Sequence, residues 1–146
     1  MEKRGLFIVF EGIDGSGKST QIGKLADYIR EVDKYQDVLL TREPTWRSKE
    51  LKKLLIQEKD AFSSGERMAQ LFIEDRKAHT FDQISSNLNQ GVFVLCDRYS
   101  MSTCAYQSAQ GVNLTRLIDA HRNDSIIIPD LTFFINVPEK IAEARM

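Results

Sequence analysis

Apolar residues along this chain fall into two rhythms that alternate from end to end. The first is a short unbroken run. Leu6-Phe7-Ile8-Val9-Phe10, Val38-Leu39-Leu40-Thr41, Val92-Phe93-Val94-Leu95-Cys96 and Leu131-Thr132-Phe133-Phe134-Ile135-Asn136 have the length and composition of buried strands. The second is a stripe at helical spacing. Ile22, Leu25, Ala26 and Ile29 predict a helix over Gln21 to Arg30. Leu51, Leu54 and Leu55 predict one from about Ser48 to Gln57, and Lys59 to Ser64 reads as a loop. Ser63-Ser64-Gly65-Glu66 has capping-box spacing and opens the longest helix, predicted to run to about Asn89 before Gly91. Met68, Leu71, Ala78, Phe81, Ile84 and Leu88 would form its core face. Ser102 to Gln107 predicts a short helix, Asn113 caps another carrying Leu114, Leu117, Ile118 and His121, and Pro138 to Arg145 begins a last one. Strands alternating with helices predict a doubly wound α/β domain with a mainly parallel sheet.

Composition narrows this only a little. The chain has 146 residues, 20 basic and 21 acidic, for a net charge of −1. That is a single-domain length, and such a balance offers no global field to draw in nucleic acid or a membrane surface. Any anion must be bound locally. Cys96 and Cys104 have neither disulfide-framework nor metal spacing, which points to a reducing, cytoplasmic setting. Met1-Glu2-Lys3-Arg4 is too short for a secretory leader, and no apolar run approaches membrane length.

The chemistry concentrates where strands give way to loops. After the first strand comes Gly12-Ile13-Asp14-Gly15-Ser16-Gly17-Lys18-Ser19, followed by Thr20 and the first helical stripe. This fits G-x-x-x-x-G-K-[ST] in the strand-loop-helix setting the pattern requires. Such a loop cradles phosphates with backbone N–H groups, its lysine reaches the β- and γ-phosphates, and its hydroxyl helps hold Mg²⁺. A nucleoside triphosphate is the ligand this predicts. The third strand ends in Asp97-Arg98. Beside a phosphate loop, that aspartate suits the magnesium network. Arg98 suits a second phosphate, or an ion pair with Asp97 or another carboxylate. On the long helix, Phe72, Arg76 and His79 make a stripe that spacing alone reads as a core-edge aromatic beside a solvated basic face. His121 reads as a core-edge histidine.

Taken together, F-E-G-I-D-G-S-G-K-S-T-Q, T-R-E-P-T, L-F-I-E-D-R, D-R-Y-S-M-S-T-C-A-Y-Q and P-D-L-T-F-F-I-N-V-P resemble the thymidylate kinase family. The resemblance implies Mg²⁺-dependent transfer of a phosphoryl group from ATP to dTMP by a homodimer. It implies that Gly12 through Thr20 bind ATP, that Arg145 lies against the adenine, and that Ser19 and Asp97 serve the metal. Asp14 would touch both the acceptor and the magnesium network, with Lys18 and Arg98 as its catalytic companions. For dTMP it implies Phe72 stacked on thymine, Arg76 on a thymine carbonyl and Arg98 on the phosphate. Ser102 and Thr103 would sit at the base edge, Tyr106 against the sugar 2′ position, and Arg42 and Glu43 beside the acceptor phosphate. The dimer would form through the helices near Ala69 and Ile73, read as apolar residues off the core stripe.

Two departures matter. Gly15 and Ser16 stand where some members carry a basic residue, so the resemblance implies catalytic arginines from a lid. That lid would follow Arg145, so residues 1–146 are expected to form a C-terminally incomplete kinase domain. Rival readings are a kinase for another pyrimidine nucleotide, separable by a panel of acceptors, and a lidless nucleotide-binding module without catalysis.

Overall fold

All four apolar runs are strands in the computed structural model, which describes residues 3–57, 65–123 and 125–146. They are β1 (Phe7–Glu11), β2 (Val38–Arg42), β3 (Phe93–Asp97) and β4 (Leu131–Phe134). Every pairing is parallel, in the order β2-β3-β1-β4. Among the described strands only β2 and β3 are both consecutive in the chain and neighbours, and because all pairings are parallel each connection crosses a face of the sheet. The register sets Phe10 and Arg42 against Asp97, which gathers the ends of β1, β2 and β3 at one carboxyl edge. In open α/β sheets that edge is where ligands bind.

The helices are α1 (Lys18–Val32), α2 (Lys49–Gln57), α3 (Gly65–His79), α4 (Ser85–Asn89), α5 (Ser100–Ala109), α6 (Leu114–Ala120) and α7 (Glu139–Arg145). Side chains of β1 alternate between the two faces, as pleating requires. Phe7 and Val9 pack with Val94, Cys96, Ile84, Leu88 and Tyr99, while Ile8 and Phe10 pack with Leu95, Ile22 and Ala26 of α1. Each such large side chain, fully buried, contributes roughly 1.5–3 kcal/mol. Asn113 caps α6 as expected, its side chain accepting from the Arg116 backbone N–H at 3.0 Å. No helix among the described residues is long and apolar enough to cross a membrane.

Three expectations fail. The long helix is not one uniform stripe, because a π-helical turn, Thr80–Ile84, separates α3 from α4. Ala78 is exposed and Phe81 is 81 % exposed, while Arg76, His79 and Thr80 are buried. Steps of four drift by about 40° on an α-helix; the wider π turn takes up that drift and carries the buried line from His79 on to Ile84 and Leu88. The fourth run was expected to be buried, yet Leu131 through Phe134 are exposed. The reason is position, since among the described residues β4 is an edge strand whose one partner is β1. Ala69 does not lie on an open face either; it is 4 % exposed and packs with Val112 and Leu117. The Lys59–Ser64 loop and the capping box starting at Ser63 lie outside the described residues.

Candidate active site

The phosphate loop passes directly into α1. Gly17 is its N-cap in the left-handed region at φ 99°, and Gly15, at φ 76°, lies so close to α7 that a Cβ would strike the Ala142 carbonyl. Both positions therefore need glycine. Lys18 is 7 % exposed and its Nζ donates to the carbonyls of Gly12 at 3.0 Å and Ile13 at 3.1 Å. Burial, then the Arg98 cation, lower its pKa, against the raising pull of Asp97, Asp14 and Glu11. Ser19 Oγ lies 3.5 Å from Asp97 Oδ2, bringing the loop hydroxyl and the strand-end carboxylate together. The Ser16 hydroxyl is buried without a partner among the described residues, an unsatisfied polar atom within the cradle. Arg145 also meets the loop, with Nη1 3.5 Å from the Ser16 carbonyl. Ile13 is 41 % exposed, and Thr20 is exposed on the first turn of α1.

Beside the loop is a cavity of about 310 Å³ whose lining includes Asp14, Glu43, Phe72, Arg76, Arg98, Ser102, Thr103, Tyr106 and Gln107. Arg98 stands at its phosphate-loop end. Its backbone has φ 69°, rare for a residue with a side chain. Its guanidinium donates to Asp14 Oδ1 at 2.6 Å and Ser102 Oγ at 3.0 Å, with Tyr106 alongside at 5.5 Å. Here both readings of Arg98 meet: it is ion-paired, with Asp14 and not Asp97, and it faces the cavity.

The other end is organised by Arg76, which is 1 % exposed. Its Nε and Nη2 grip Glu43 Oε2 at 2.7 and 2.6 Å, Nη2 reaches Thr103 Oγ1 at 3.1 Å and Nη1 reaches His121 Nε2 at 2.6 Å. The guanidinium lies 4.8 Å over the Tyr99 ring. A guanidinium has five N–H donors; these contacts leave one, on Nη1. His79 joins the network through Nδ1 to Glu43 Oε1 at 2.9 Å and Nε2 to Thr41 Oγ1 at 2.8 Å. The solvated basic face read from spacing is thus a buried network, because one carboxylate accepts from both Arg76 and His79. Glu43 is accordingly held by Arg76 and His79 while lining the same cavity as Arg98. Arg42 is exposed and outside the cavity lining.

Ser102 lines the cavity, but its hydroxyl is already engaged. Its hydroxyl donates to Glu11 Oε2 at 2.6 Å and accepts from Arg98, so its hydrogen is already committed. Four contributors were missed in the sequence. Glu11, 2 % exposed, also accepts from the backbone N–H groups of Tyr99 at 2.8 Å and Ser102 at 3.2 Å, which explains why α5 starts before Ser102. Asp75 accepts from the Thr45 N–H at 2.8 Å and ties the loop after Pro44 to α3. Tyr99 forms a wall behind Arg76. Gln107 is 2 % exposed, and its Oε1 has no partner among the described residues. A charge closing an apolar strand was the available signal for Glu11; Gln107 gave none.

A phosphate loop next to a cavity with an arginine at each end defines a P-loop phosphotransferase with an acceptor pocket. The family profile described as thymidylate kinase matches residues 10–146. A probable thymidylate kinase of Pyrococcus horikoshii is 44 % identical, covering 98 % of this chain and 70 % of its own. A thymidylate kinase of Desulfotalea psychrophila is 37 % identical over 97 % of this chain and 68 % of its own. The crystal structure of thymidylate kinase from Ehrlichia chaffeensis superimposes with a TM-score of 0.75 at 37 % identity, covering 97 % of this chain and 82 % of that one. This chain belongs to the thymidylate kinase family.

Proposed function

We propose that the protein transfers the γ-phosphoryl group of ATP to the 5′-phosphate of dTMP. One observation carries the reading: a single cavity runs from Arg98, beside the phosphate loop, to a buried amide, hydroxyl and guanidinium set at Gln107, Thr103 and Arg76. Arg98 offers charge for the acceptor phosphate once that phosphate replaces Asp14 as its partner. Phe72 offers a ring face, Arg76 its remaining N–H to a base carbonyl, and Gln107 Oε1 an acceptor for a base N–H. Tyr106 stands on the sugar side. The acceptor phosphate is largely ionised near neutral pH, so no general base is required. Positioning and charge neutralisation by Lys18, Arg98 and the loop amides do the catalysis. Ser19 and Asp97 supply an oxygen-only pair of the kind Mg²⁺ takes beside phosphates, and the ion would neutralise charge on the β- and γ-phosphates.

A second copy belongs to the same reading. The groove between α3 and α6 has Ala69, Ile73 and Leu117 on its floor and Arg67, Glu74, Lys77 and Arg116 around it, mixed charges that a two-fold partner can match. Sedimentation decides that point. Free Cys96 and Cys104 suit a cytoplasmic setting.

Initial rates of ADP formation with dTMP, dUMP, dCMP and dGMP test the main proposal. The highest kcat/KM is expected for dTMP. A purine preference, or binding of dTMP without turnover, would overturn it.

A further inference from the structure

We infer that His121 is a positioning residue for Arg76, anchoring the guanidinium from behind the cavity through an unprotonated Nε2, and that protonating His121 loosens recognition of the acceptor base. The inference rests on the proposed dTMP reading for its kinetic assay but not for its structural one.

Geometry fixes the proton on this imidazole. Arg76 Nη1 approaches Nε2 at 2.6 Å and can only donate; the Leu117 carbonyl approaches Nδ1 at 2.7 Å and can only accept. His121 is therefore the neutral Nδ1–H tautomer. Glu43 holds one edge of the Arg76 guanidinium, through Nε and Nη2. The opposite corner, Nη1, is held by His121, and that corner carries the one N–H left for a ligand. Protonation would place a second N–H and a second positive charge against Nη1, so one of the two groups must withdraw.

The surroundings set the direction of the titration. Arg76 faces His121 from α3, Glu43 lies beyond it at the end of β2, and Tyr99 and Cys104 border it from the start and middle of α5. In its own segment Asp119 and Arg122 pair with each other at 3.9 Å. Burial, then the Arg76 cation, lower the His121 pKa, with Leu117 and Glu43 opposing. The ring is neutral at neutral pH and charges only on acidification. It also lines a separate groove of about 500 Å³ between α5, α6 and residues 126–129, so protons have a route that a bound acceptor does not block.

The test compares the native enzyme with His121→Gln, which keeps an acceptor near the Nε2 position, and His121→Leu, which removes it. His121→Leu is expected to raise KM for dTMP about tenfold, the scale of one hydrogen bond to a charged group, with kcat and the KM for ATP near native. His121→Gln should recover most of the loss. As pH falls, the native KM for dTMP should climb more steeply than that of His121→Gln. Both share the nucleotide's own phosphate titration, so their ratio isolates the histidine. If His121→Leu does not fold, this ratio alone decides. Equal KM values in all three proteins, a ratio flat with pH, or a loss in kcat and both KM values that glutamine does not rescue would each overturn the inference. ¹⁵N NMR of the native imidazole supplies the structural assay: an Nδ1–H tautomer supports the anchor, an Nε2–H tautomer sinks it. A native protein with no dTMP turnover but the expected tautomer would refute the proposed reaction and leave the anchor standing.

Discussion

Glu43→Gln is the most informative single change in this molecule. Glu43 and Arg76 have side chains 3 % and 1 % exposed and meet at 2.6 Å, and the same carboxylate takes His79 Nδ1 at 2.9 Å. Glutamine keeps the shape but leaves a buried guanidinium without its counter-charge. Removing one partner of a buried ion pair costs about 3–5 kcal/mol, a large share of the ~5–15 kcal/mol that folded domains possess. For a chain of this size that corresponds to a fall of roughly 10 °C in Tm. Urea denaturation should show a lower midpoint with an unchanged slope. Arg76→Met should cost a similar amount by stranding Glu43. The double variant should be less damaged than the two costs added, with a coupling of about 2–3 kcal/mol. Single changes that each cost under about 1 kcal/mol and combine additively would show that the network is held by packing and not by charge.

Lys18→Met should lower turnover by about 10²–10³-fold while leaving Tm near native; near-native turnover would refute the phosphate-loop mechanism. Tyr106→Phe should retain discrimination against ribonucleotide acceptors and Tyr106→Ala should lose it, read as the dTMP-to-ribonucleotide ratio of kcat/KM. At Asp130, burial favours the neutral acid, but the Phe7 N–H and the Arg4 side chain outweigh it and lower the pKa. A depressed pKa means stability that is present above the unfolded value and lost as pH falls through the folded one. Asp130→Asn should therefore unfold more easily than native at neutral pH, and the gap should close in strong acid.

The phosphate loop was fully legible because it is local: its ligands lie within a few residues and the flanking apolar rhythms fix its setting. The sheet was legible for the same reason, since unbroken apolar runs need little context. The acceptor side was not. Whether Arg76 and His79 face water or the interior depends on Glu43, which lies 33 residues from Arg76, and no periodicity reports such a partner. Spacing alone exposed them, and the family resemblance rather than the pattern pointed Arg76 inward. Phe81 was misplaced because a π turn shifts the helix phase without any apolar signature. β4 was misplaced because an apolar run states what a strand prefers, while its place in the sheet order decides what covers it. Ser102 kept its location and changed its task, serving Glu11 and Arg98.

Glu11 joins the two phosphate-gripping parts of the site. This residue is bonded in the chain to Gly12, where the phosphate loop begins, and hydrogen-bonded to the start of α5 and to the Ser102 hydroxyl that holds Arg98. It acts as the fixed arm of a calliper, setting the gap between the two phosphate grips. The side chains proposed to face the base differ in their mounts: Phe72 stands on α3, whereas Thr103 and Gln107 share α5 with the residues Glu11 holds. Drift at Phe72 could therefore retune which acceptor is taken without resetting the gap across which the phosphoryl group moves, whereas damage at Glu11 would disable every acceptor alike.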